Sequence, residues 1–127
     1  MNKMKLIVEN FEEPLSPFPI WSVVYVQVGN VSFPCQQWYD ATTSILVMWI
    51  NIISKLIAGV ENEVTLNFMD GDYSIRLESH DGKQAVASFQ EPDPQKVTHH
   101  TIDLIYFGRQ LLAAVGKLKE HTSAFSE

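Results

Sequence analysis

The sequence predicts one α+β domain, an antiparallel β-meander sheet of about five or six strands with two α-helices packed on one face. Three observations carry this prediction. Two Asp-Gly pairs, at 70–71 and 81–82, separate short segments in which apolar and polar residues alternate. Two longer segments, 41–59 and 101–120, repeat their apolar residues at the spacing that lines one side of a helix. The chain has 127 residues and 46% hydrophobic content, enough for a single packed core and too apolar for a disordered tail.

Taken in order, residues 4–8 form an apolar entry strand, and residues 9–19, with Glu9, Glu12, Glu13 and three prolines, form an irregular linker. From Ile20 a run rich in β-branched and aromatic residues reads as a strand. Gly29-Asn30, both expected at positive φ, turn it back into Val31, Ser32 and Phe33. Pro34 lacks a backbone N–H, so it stops that strand or confines it to an edge. Asp40 is the expected N-cap of the first helix, with Thr42, Thr43 and Ser44 as competitors, and Ile45, Met48, Trp49, Ile52, Ile53, Leu56 and Val60 form its buried stripe. Gly59 or the residues just after it end the helix.

With Asp70 and Gly71 at the tip of a hairpin, Phe68 pairs with Tyr73, Leu66 with Ile75 and Val64 with Leu77, all on one face. The same treatment of Asp81-Gly82 pairs Leu77 with Val86 and Ile75 with Ser88, leaving Thr65, Asn67, Ser74, Arg76, Glu78, Ala85 and Ala87 toward solvent. One discord results, because this register sets Glu63 opposite Glu78. After the break at Glu91-Pro92-Asp93-Pro94, residues 96–100 are a connector or short strand. The last helix follows from about Thr101 to Glu120, with Asp103 near its start and Lys117 and Lys119 near its end, as the helix dipole favours. Residues 121–127 are expected to fray.

Nine Lys and Arg against fifteen Asp and Glu leave a net charge of −6. The scattered cations argue against direct contact with nucleic acid, which needs them clustered, and the surplus of acid leaves a basic partner open. The single cysteine, Cys35, allows no intrachain disulfide and fits a reducing cytoplasm. The N-terminal residues lack a secretory apolar stretch. The greasy segment 45–60 is interrupted by Asn51, Ser54 and Lys55 and falls short of the ~20 residues needed to span a bilayer, so no membrane contact is expected.

No catalytic motif, metal site or cofactor site is expected. His99 and His100 would point to opposite faces of a strand, and no further ligand sits at a suitable spacing. Cys35 lacks the local signature of a thiol nucleophile. The carboxylate pairs Glu61/Glu63 and Asp70/Asp72 could serve as general acid and base, but they sit at turns, where Asp is favoured by geometry alone. Trp38 and Trp49 are assigned to the core. Tyr39, with Phe18 or Trp21, is a candidate surface aromatic, and such anchors beside acids suit a protein-binding face.

The run Val31-Ser32-Phe33-Pro34-Cys35-Gln36-Gln37-Trp38-Tyr39-Asp40, then Ile45-Leu46-Val47-Met48-Trp49-Ile50, then Phe68-Met69-Asp70-Gly71-Asp72-Tyr73 resembles a pattern in small bacterial immunity proteins of polymorphic toxin and contact-dependent inhibition systems. The resemblance covers roughly residues 20–80. It departs at Asp72, where a proline often follows the hairpin glycine. It implies a cytoplasmic, non-enzymatic protein that binds one cognate toxin domain, many of which are nucleases with basic clefts. The expected partner-binding residues are Tyr39, Asp40, Glu61, Glu63, Asp70 and Asp72. Two alternatives stand beside it: a small ligand-binding domain or enzyme with a sheet-helix pocket using carboxylates, and a homo-oligomeric subunit, with a homodimer its simplest form.

Overall fold

The computed structural model describes residues 2–11 and 19–125, without the side chains of Pro94 and residues 122–125. Residues 12–18 of the expected linker, including Phe18, and residues 126–127 of the expected tail lie outside the described residues. The class is α+β, as predicted, but the strands among the described residues divide between two antiparallel four-stranded sheets. The elements in order are β1 (Met4–Glu9), β2 (Trp21–Val28), β3 (Val31–Phe33), β4 (Tyr39–Ala41), α1 (Thr42–Ile57), β5 (Glu63–Asn67), β6 (Ser74–Glu78), β7 (Gln84–Gln90), β8 (Thr98–Asp103) and α2 (Leu104–Phe125).

In the first sheet β2 is central. It pairs with β1 along one edge, while β3 and β4 share the other, Val26–Val28 facing β3 and Trp21–Val23 facing β4. Gly29 alone takes positive φ, +58°, at the β2–β3 turn, so Asn30 does not play the expected second part; one glycine at the first turn position suffices for a tight hairpin. As expected, β3 ends at Pro34 and lies on an edge.

The second sheet is a meander, β5-β6-β7-β8. Its first hairpin has the predicted register, with Phe68 N–H bonded to the Tyr73 carbonyl at 3.1 Å, Leu66 opposite Ile75 and Val64 opposite Leu77. The second is shifted by one residue, pairing Leu77 with Ala87 and Ile75 with Phe89. Strand side chains alternate, so the shift turns Ala85, Ala87 and Phe89 inward and Val86 and Ser88 outward, the reverse of the expectation. The cause is local. Ser79 Oγ donates to the Gln84 carbonyl and accepts from Gly82 N–H, while Asp81 Oδ1 accepts from Lys83 and Gln84 N–H, making a longer, side-chain-braced loop instead of a two-residue turn.

A single sheet of five or six strands does not form because α2 interrupts it. Asn2, just before β1, pairs in parallel with β8, its N–H bonded to the Thr101 carbonyl and its carbonyl to Asp103 N–H. The chain then enters α2 at Leu104, and that helix runs beside β1 in place of a further strand. Gln110 Oε1 accepts from Leu6 N–H at 3.3 Å and Lys117 Nζ donates to the Val8 carbonyl. Seven residues apart, Gln110 and Lys117 lie on one helix face and satisfy edge groups that would otherwise recruit a strand.

Residues 98–103 are thus a strand, and α2 starts three residues later than expected, with Asp103 Oδ1 accepting from Tyr106 N–H as its cap. It continues through residues 121–125, which the sequence assigned to a frayed tail. At the C-terminus of α1, Gly59 at φ +77° donates to the Leu56 carbonyl and Val60 N–H to that of Lys55, the closing pattern known as a Schellman motif. This exposes Val60, which the helical pattern had counted in the stripe.

The helices pack against each other, α1 also on β5 and β2, and α2 on β1 and β7. Between them and the sheets lie Trp49, Phe89, Phe107 and Met4, all fully buried. Phe33 of the first sheet stacks on Phe89 of the second at 4.6 Å and meets Phe68 edge-on at 5.9 Å, so the two sheets share one core.

Candidate functional site

Among the described residues, the most heavily used polar side chain in the interior is Asp40. It is fully buried on β4. Its Oδ2 accepts from Trp38 Nε1 at 2.9 Å and from the backbone N–H groups of Met69 and Asp70 at 3.0 and 3.1 Å, and its Oδ1 accepts from Ala41 N–H at 2.7 Å. Trp38, just before β4, and Asp40 stand two residues apart, and the indole N–H bond to the carboxylate shows that they face the same way. The indole and the Tyr73 ring, 5.1 Å apart, close over Gly71. A side chain thirty positions away thereby holds the β5–β6 turn, and Met69, Asp70 and Asp72 stand exposed at its tip.

This corrects two expectations for Asp40. It does not cap α1: Ala41 is the N-cap and has no side-chain bond, and the free N–H of Thr43 instead meets the Ile20 carbonyl while Thr43 Oγ1 accepts from Ile20 N–H. Nor can Asp40 touch a partner, since it has no accessible surface. Its acceptor capacity is taken up by donors that could not be left bare in the interior.

The other expected contact residues fall into three places. Asp70 and Asp72 share the turn. Tyr39 is 37% exposed and stacks on Trp21 at 5.7 Å, and strand alternation turns it to the face opposite Asp40. Glu61 and Glu63 lie at the far end of β5, separated from the turn by a five-residue strand, about 17 Å. There the discordant Glu63–Glu78 pair does form. Arg76 relieves it, reaching Glu63 through Nε at 2.7 Å and through a second nitrogen at 2.8 Å, and His80 lies 3.3 Å from Glu78. The Glu63 hydrogen bond, and then its charge, raise the Arg76 pKa.

His99 and His100 point to opposite faces of β8. His99 Nδ1 meets Ser88 Oγ at 2.7 Å on the outer surface, while His100 faces inward against Phe89, its ring 4.8 Å away and its buried Nε2 without a partner among the described residues. Burial, then the charge of His99, lower the His100 pKa. Among the described residues no three His, Cys, Asp or Glu side chains converge to hold a metal ion, and no helix is long and apolar enough to cross a membrane. Asp70 and Asp72 line neither the groove between α1 and α2, nor the cleft between β1 and α2, nor the hollow beside Pro19.

The part Asp40 plays is not evident from its local sequence, which marks it as a helix N-cap. The available signal was the spacing of Trp38 and Asp40, an indole donor and an acid on one face of a short extended segment. Arg109, in the middle of a helical pattern, carries no such local signal and sits on the lip of the interhelical groove. Comparison with protein-family models gives no match, and comparisons with curated proteins and with solved structures give none either.

Proposed function

We propose that this chain is a non-enzymatic, immunity-type protein that binds and neutralises a bacterial toxin domain through the β5–β6 turn, with Asp70 and Asp72 meeting a basic surface and Met69 the apolar contact beside it. The observation that carries this reading is the internal anchoring of the turn by Asp40. A loop held in one conformation before contact loses less entropy on binding, and paired carboxylates at its tip steer a cationic partner. Met69, 49% exposed and next to Asp70 in the chain, adds an apolar side chain to the charged turn. Glu61 and Glu63 are left out of the contact, since they lie at the other end of β5 and Glu63 is already occupied by Arg76.

The test is co-expression with the basic C-terminal domain of a toxin encoded in the neighbouring reading frame. The chain is expected to rescue growth and to bind that domain. Asp70→Lys with Asp72→Lys should abolish both while the thermal melt stays unchanged, and Glu61→Lys should leave rescue intact. Rescue that survives reversal of both aspartates would overturn the assignment of the surface, and failure of the wild-type chain to bind would overturn the function.

A further inference from the structure

We propose a second binding site on this protein, the groove between α1 and α2, which takes a medium-chain carboxylate with its tail between the helices and its head group on Arg109. The groove is open to solvent along its length and offers about 220 Å³. Gly108 creates the close helix approach beside it: a Cβ there would stand 3.3 Å from Ile57 Cδ1. Ile53 and Leu111 are buried beneath, and Ile50, Ile57, Ile105 and Leu112 form the sides, with Leu112 64% exposed. Such a surface is wetted at a free-energy cost that an apolar ligand relieves.

Charge decides the occupant. The chain has two arginines, and Arg76 is held by Glu63 through two contacts. Arg109 is exposed on the groove lip and has neither an ion pair nor a side-chain hydrogen bond among the described residues. No carboxylate lines the groove. A second copy docked symmetrically on this face would bring another guanidinium and no counter-charge, whereas a ligand with one carboxylate supplies what the lining lacks. Arg is suited to it, since its planar fork matches both carboxylate oxygens.

Size sets the tail. An apolar cavity of roughly 150 Å³ holds benzene, six carbons, so 220 Å³ corresponds to about nine. The expected ligands are therefore octanoate to decanoate, and each methylene up to that length should tighten binding by about two- to fourfold, the upper value holding for a fully buried methylene.

The full chain, methyl-labelled at Ile and Leu, is titrated with hexanoate, octanoate, decanoate and decanol below their micelle concentrations. The expected result is saturable shifts at Ile50, Ile57, Ile105 and Leu112, affinity rising along the acid series, and decanoate at least about tenfold tighter than decanol. Arg109→Gln should erase the difference between acid and alcohol, and Leu112→Glu should abolish binding. Both positions are exposed, and thermal melts check that the variants fold. The proposal is overturned if the shifts fall elsewhere, if Arg109→Gln binds decanoate as tightly as the wild type, or if binding is seen only with anionic phospholipid vesicles. It is equally overturned if sedimentation shows a dimer that Leu112→Glu dissociates, which would make the face a contact between copies.

Discussion

Asp40 and Asp70 stand thirty residues apart, and the side-chain Oδ2 of the first accepts the backbone N–H of the second at 3.1 Å. A buried acid in the strand that leads into α1 thus shapes a turn in the other sheet, and the exposed acids of that turn inherit their position from one that no partner can reach.

Replacing Asp40 with Ala should be among the most destabilising single changes. It strands the N–H groups of Met69, Asp70 and Ala41 and the Trp38 indole, at a total cost of about 3 kcal/mol or more. Urea denaturation measures the loss. In a protein that remains folded, amide exchange at Met69 and Asp70 should accelerate ahead of the core strands.

Gly82→Ala should cost about 2–4 kcal/mol, because it combines a positive φ with a clash. Gly82 has φ +72°, and a Cβ there would lie 2.5 Å from the Ile57 carbonyl oxygen, a backbone atom of α1. Gly29 is the internal control. Its φ is +58° with nothing within 4 Å, so Gly29→Ala should show only the conformational cost of about 1 kcal/mol. Chemical denaturation of the two variants separates steric from conformational strain.

Arg76→Ala should lower the thermal midpoint modestly at neutral pH by leaving Glu63 opposite Glu78 without its shared cation. The deficit should shrink in high salt and again as the pH falls through the carboxylate range, because either change removes the repulsion. A midpoint deficit that ignores both salt and pH would mean that the arginine acts through packing.

His100 should make the fold acid-sensitive. Its pKa in the folded protein lies below the ordinary 6.5, through burial first and His99 second. The unfolded chain therefore takes up this proton more readily, so the contribution is complete above 6.5 and is lost as the pH falls below it toward the folded value. His100→Phe places an apolar ring beside Phe89 and removes the Nε2 that has no partner among the described residues, and it should flatten that part of the stability-pH profile without loss at neutral pH. Denaturation midpoints across the weakly acidic range measure both.

Much of the local architecture is legible in the residues. Alternation and an Asp-Gly pair set the β5–β6 register, Pro34 ended β3, Gly59 closed α1, and periodicity located both helices, because each is a property of neighbouring side chains and the backbone conformations they tolerate. The second Asp-Gly pair shows where local reasoning stops. Asp81 and Gly82 resemble Asp70 and Gly71 in sequence, yet Gly82 is pressed against the end of α1 and Ser79 braces the loop, and the register moves by one residue.

What the sequence determined by itself was an acidic, apolar-cored α+β chain most of whose acids fall at turns and element ends, since composition and period need no partner elsewhere in the chain. What the tertiary structure alone decided was the division into two sheets and the role of each acid. An edge strand is covered by whichever element arrives beside it, here Gln110 and Lys117 of α2, and a carboxylate is surface or scaffold according to the donors brought to it. Asp40 became scaffold because Met69 and Asp70 fold onto it, and Asp70 and Asp72 remained surface for the same reason.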